Sequence, residues 1–102
     1  AAAARTNLGI AATSLYNGTL TSGSITFNYG NYNFYVIIGR PSSTASRASL
    51  VVPKIMLTTS AVSFQIADES NYKSFNLSYS GSLVTLAIQG GNGQINRVFG
   101  IN

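Results

Sequence analysis

A chain of 102 residues with a net charge of +4, six Lys and Arg against two Asp and Glu, has room for one modest core and no second domain. A hydrophobic fraction of 45% and a mean hydropathy of +0.21 exclude a disordered chain, while charged residues, at 8%, fall far below the roughly 25% of ordinary soluble domains. Ser, Thr, Asn and Gly, 43 residues together, must then supply the wetted surface, or other copies of the chain cover part of it.

The cations Arg5, Arg40, Arg47, Lys54, Lys73 and Arg97 are scattered, with no basic run, which argues against nucleic acid as a partner. The sequence contains no Cys, so no disulfide or thiolate metal site is available. No apolar stretch approaches the ~18 residues of a membrane-spanning helix, and no membrane insertion is expected. The opening Ala1-Ala2-Ala3-Ala4-Arg5 lacks both Met and the layout of a secretion signal. It reads as an internal cut, and the chain is expected to be the C-terminal piece of a longer polypeptide.

Residues 1–12 are Ala-rich, with Leu8 and Ile10 the only large apolar side chains, and Gly9 argues against a long helix. They are expected to be a lead-in to a single β domain over 13–102. From there short runs of Thr, Tyr, Phe, Val and Ile alternate with Gly, Ser and Asn, and eight strands are predicted near 13–17, 24–29, 32–39, 48–53, 61–67, 72–79, 83–89 and 95–101. Ile25, Phe27 and Tyr29 alternate with polar residues, as do Val62, Phe64 and Ile66, and Phe75, Leu77 and Tyr79, so each strand offers one face to a core. Turns are expected at Asn17-Gly18, Tyr29-Gly30-Asn31, Ser80-Gly81 and Gly90-Gly91-Asn92-Gly93. About eight short strands imply an all-β, antiparallel, jelly-roll-like sandwich.

One strand departs from simple alternation. Tyr32, Phe34, Val36 and Ile38 point one way and Tyr35 and Ile37 the other, so both faces are apolar. Such a strand is either covered by loops of its own domain or packed against a neighbouring subunit. Leu83, Val84, Leu86, Ala87 and Ile88 show the same tendency more weakly.

Catalysis is not expected. The sequence has no His or Cys, and its only carboxylates, Asp68 and Glu69, are adjacent, whereas a glycosidase needs two facing each other at about 5–9.5 Å. Carboxylates are also too few for a hard-cation site, and Gly90–Gly93 joins two strands without the Lys-Ser/Thr of a phosphate loop. Neither a metal nor a cofactor is predicted. Tyr beside Asn recurs, in Tyr16-Asn17, Asn28-Tyr29, Asn31-Tyr32-Asn33 and Asn71-Tyr72. Sugar sites are often built this way, with a ring against the apolar side of a sugar and amides on its hydroxyls, although Tyr and Asn are also ordinary strand and turn residues.

Taken in order, several segments resemble the C-terminal domain of bacteriophage tail fibres, head fibres and related receptor-binding proteins. They are Leu15-Tyr16-Asn17-Gly18-Thr19, Ser22–Phe27, Tyr32–Gly39, Ser49–Pro53 and the closing Gln94–Ile101. The lead-in Ala3–Ile10 resembles Ala-Arg-Thr-x-Leu-Gly segments of fibre shafts. The resemblance implies a homotrimeric β-sandwich tip, carried on the virion outside the cell, that contacts the host envelope through a surface polysaccharide or protein receptor. It brings no invariant binding motif with it.

Loop position and polarity then select the expected contacts: Tyr29, Asn31, Tyr32 and Asn33 on one loop, Arg40, Ser42, Ser43, Thr44 and Arg47 on a second, and Asp68, Glu69, Asn71 and Tyr72 on a third. The arginines suit anionic glycans. The expected function is non-covalent receptor binding during adsorption. The alternative is a domain that trimerises and caps the fibre, or decorates a capsid, without a receptor of its own.

Overall fold

The structure is a computed structural model and describes residues 12–102. It is an all-β sandwich. Eight strands, β1 (Ala12–Leu20), β2 (Ser24–Asn28), β3 (Phe34–Arg40), β4 (Ala48–Pro53), β5 (Val62–Ala67), β6 (Tyr72–Ser80), β7 (Leu83–Gly91) and β8 (Gln94–Ile101), form two antiparallel sheets ordered β1-β8-β3-β4 and β2-β7-β6-β5. The expected lead-in falls on residues outside those described, apart from Ala12, which opens β1. The nesting of β1 on β8 and β2 on β7 is that of a jelly roll. Inside it the pattern is simpler, because β3-β4 and β5-β6-β7 follow one another as hairpins.

The inner residues are those the alternation selects. Tyr35, Ile37, Val52, Ile95 and Val98 are fully buried, and Phe75, Leu77, Val84 and Leu86, buried as completely, close on them from the facing sheet. A fully buried aliphatic side chain contributes about 1.5–3 kcal/mol, and twelve buried apolar residues form this one cluster. Phe27 meets the Tyr35 ring edge-on at 5.6 Å, and the Tyr35 hydroxyl donates to the Tyr29 carbonyl at 2.7 Å. That bond satisfies the one polar atom this ring carries inward. Burial, then the neighbouring Tyr29 and Tyr32 rings, pushes the phenol up to about 12.

Asn17-Gly18 is not a turn. β1 runs through it to Leu20, with Gly18 and Thr19 opposite Asn96 alone, and β8 in turn bulges at Asn96 against β3. Ile38 pairs with Arg97 and Gly39 with Ile95, leaving Asn96 as the extra residue. Its buried amide donates to the Gly18 carbonyl at 3.3 Å and to Gln94 Oε1 at 2.7 Å, so the glycine marks a bulged stretch held by a side chain 78 positions away. The other expected turns form. Gly30 and Gly81 adopt φ of 54° and 59°, the left-handed region that only glycine enters without strain.

The two outer faces differ in chemistry. On the β2-β7-β6-β5 sheet, Ser24, Thr26, Ser63, Asn76, Ser78 and Thr85 point outward, an array of neutral hydroxyls and amides. On the other sheet the outer positions form cross-strand rows: Pro53, Phe34 and Ile101, then Val51, Val36 and Phe99, then Ser49, Ile38 and Arg97. The strand read as apolar on both sides is therefore β3, whose inner face holds Tyr35 and Ile37 while Phe34, Val36 and Ile38 lie on the outside, half-buried by their row neighbours.

Candidate functional site

Connections alternate between the two ends of the sandwich. At the near end lie Ala12, Ile101, the β2–β3 loop (29–33), the β4–β5 connection with its single 3-10 turn (Lys54–Met56), and the β6–β7 turn. At the far end lie the β1–β2 turn (21–23), the β3–β4 loop (41–47), the β5–β6 turn (68–71) and the β7–β8 turn at Asn92-Gly93. A seven-residue strand separates the ends by roughly 23 Å. The three predicted contact loops therefore divide: 29–33 stands alone at the near end, whereas 40–47 and 68–72 share the far end.

The near-end aromatics are committed to packing. Tyr29 stacks on Tyr79 at 4.7 Å between ring centroids, and the Lys54 ammonium sits 3.9 Å from the Tyr29 centroid while also donating to the Gly30 carbonyl. An ammonium does not fit between rings 4.7 Å apart, so Lys54 occupies the opposite face and neither face of Tyr29 is open to a sugar. Tyr32 lies edge-on to Tyr35 at 6.0 Å and covers Gly100. Asn31 and Asn33 are exposed, but the Asn33 backbone is engaged on both sides, donating to Ile101 at 2.8 Å and accepting from Lys54 at 3.0 Å.

The far end is different. Asp68 Oδ1 accepts from the Ser70 and Asn71 amides at 2.9 and 2.7 Å, closing the β5–β6 turn; these backbone bonds hold its carboxyl below the ordinary carboxylate range. The closed turn presents Asn71, whose Oδ1 accepts from Asn92 Nδ2 at 3.2 Å, tying the β5–β6 and β7–β8 turns together. The next residue, Tyr72, points to the outer, hydroxyl-lined face and is 44% exposed, while its carbonyl accepts from Gly93 at 3.0 Å. Tyr72 is thus an open ring on a rigid edge, beside a pair of amides. Ser42 to Thr44 and Arg47 line the neighbouring loop, where Arg40 Nη1 donates to the Ser43 carbonyl at 3.2 Å. Glu69 is exposed on the β5–β6 turn.

Beneath these loops lies Lys73, which was not among the predicted contacts. Its side chain is 2% exposed, and its ammonium donates to the Thr21 carbonyl at 2.9 Å and the Gly91 carbonyl at 2.8 Å, joining the β1–β2 and β7–β8 turns. Burial lowers its affinity for the proton. Counting back in twos from Phe75 places Lys73 on the inner face, so its inward aim was available from the sequence.

No family model, curated protein or solved structure matches this chain.

Proposed function

We propose that this domain is the tip of a bacteriophage tail or head fibre, which binds a host-surface glycan non-covalently through its far end. The observation that carries the reading is Tyr72, an exposed ring held on a rigid edge beside the linked amides of Asn71 and Asn92. A ring offers one face to the apolar side of a sugar, while amides donate to and accept from its hydroxyls. Arg47 and the Ser42–Thr44 loop lie at the same end and would extend the contact toward acidic sugars. Ala12 lies at the opposite end, an arrangement that suits a far end facing outward. In a homotrimer three such sites act together, so each needs only modest affinity.

The apolar outer face of the β1-β8-β3-β4 sheet favours a second reading, in which the domain trimerises and caps the fibre or decorates a capsid without a receptor. Adsorption of the 102-residue chain to host cells or isolated envelope polysaccharide separates the two. Saturable adsorption that Tyr72→Ala abolishes supports the glycan site. Absence of adsorption, together with failure to compete with the parent particle, supports the cap.

A further inference from the structure

Among the described residues two apolar patches are left partly exposed, and they lie at the same height on different sides of the sandwich. The first is the near-end part of the β1-β8-β3-β4 outer face, where Phe34, Val36, Phe99 and Ile101 form rows that end in Val51, itself 56% exposed. The second is the 3-10 turn on the β4–β5 flank, where Ile55 is 93% exposed and Met56 48%. Isolated exposed apolar residues are ordinary, but patches of this kind mark contact surfaces.

The charges are arranged in the same way at the far end. The chain's only side-chain carboxylates, Asp68 and Glu69, lie on the turn on the β5 flank, Asp68 capping it and Glu69 exposed. Arg97 and Arg40 lie on β8 and β3, toward the far margin of the apolar face. The Arg97 guanidinium rests 4.5 Å from the Phe99 ring centre and Arg40 binds a loop carbonyl, and among the described residues none of these charges is joined in an ion pair.

From this we infer that the outer face of the β1-β8-β3-β4 sheet receives the β4–β5 flank of a second copy of this chain, Ile55 and Met56 against its apolar rows and the acidic β5–β6 turn against its basic margin. A rotation axis parallel to the strands keeps corresponding ends at one height, so apolar meets apolar at the near end and acid meets base at the far end. The contact joins two different surfaces, and with no rise along the axis such a contact closes into a ring when the rotation divides a full turn, in keeping with cyclic symmetry. Four strands by about seven residues give roughly 440 Å² of face, against the ~800 Å² per partner of a stable specific pair. One face against its own twin falls short of that. In a ring every chain makes two contacts, burying its face in one and its flank in the other, so association is shared over both.

The inference takes the number of copies from the fibre-tip reading, but its test involves no receptor, so the two fail separately. The sequence has no Cys, and introduced thiols report contacts directly. The Ile55→Cys, Phe99→Cys double variant of the 102-residue chain, oxidised mildly, should yield covalent oligomers up to a closed ring, while either single variant stays uncrosslinked. Light scattering should give a multiple of the 10.7 kDa chain for the wild type and for Leu83→Asp, an exposed apolar site outside both patches. Ile55→Asp and Val51→Asp, both at exposed positions the fold tolerates, should reduce it to one chain with an unchanged circular dichroism spectrum. A monomeric wild type overturns the inference, as does dispersal by Leu83→Asp. Crosslinking of Phe99→Cys alone also overturns it, because that requires face against face.

Discussion

Tyr35 is fully buried, and its hydroxyl donates to the Tyr29 carbonyl at 2.7 Å. Replacing it with Phe keeps the ring and removes the bond, which should cost about 1–1.5 kcal/mol near pH 7. The pH dependence is more telling. The phenol's pKa is raised from 10.0 to about 12, so the folded chain holds the proton where the unfolded chain has lost it. Its contribution is therefore complete below pH 10 and declines as pH rises toward 12. Linkage gives a loss of about 1.4 kcal/mol by pH 11 and up to about 2.7 beyond pH 12, at 1.36 kcal/mol per pKa unit. Tyr35→Phe lacks this term, so the two stability curves, measured by urea denaturation at each pH, should cross near pH 11. Titrating groups remote from Tyr35 are common to both proteins and cancel in the difference, whereas Tyr29 and Tyr32, which act on its phenol, contribute to it. Curves that fall in parallel from pH 9 to 12 would refute the argument that burial controls this phenol.

Other expectations follow from the same contacts. Leu77→Ala, at a fully buried position, should cost about 2–5 kcal/mol by chemical denaturation. Gly30→Ala introduces a side chain at φ 54° with its Cβ against the Tyr32 ring, and should lower stability by roughly 1–3 kcal/mol while leaving the far end folded, as amide exchange would report. Tyr72→Ala should leave the melting temperature within a few degrees of wild type and remove adsorption. Arg47→Ala should weaken adsorption to acidic polysaccharide more than to neutral polysaccharide.

Much of the fold could be read from local pattern, because a buried sheet face imposes a period of two that survives without any alignment. Phe75 and Leu77 on β6 and Tyr35 and Ile37 on β3 turned inward as alternation requires. Strand order could not be read that way. Whether β8 sits between β1 and β3 depends on contacts more than 50 residues apart, which no local signal encodes. Asn17-Gly18 looked like a turn because the same dipeptide serves tight turns and bulges; the deciding partner, Asn96, is distant in sequence. The site was legible as residue types and loop membership only. Grouping Asn71 and Tyr72 with Asn92, and removing Tyr29 to the other end between Tyr79 and Lys54, required the topology. The two-faced strand raised the question of an outer partner, and the exposed Ile55 supplied a candidate surface for it.

The central claim is that the far end holds a glycan without cleaving it. The 102-residue chain should be incubated with envelope polysaccharide from a host strain, with bound protein and polymer length followed together. The account predicts saturable binding, its loss in Tyr72→Ala, and a polymer of unchanged length. Binding that survives Tyr72→Ala, or a polymer shortened by wild type but not by Glu69→Gln, would contradict it.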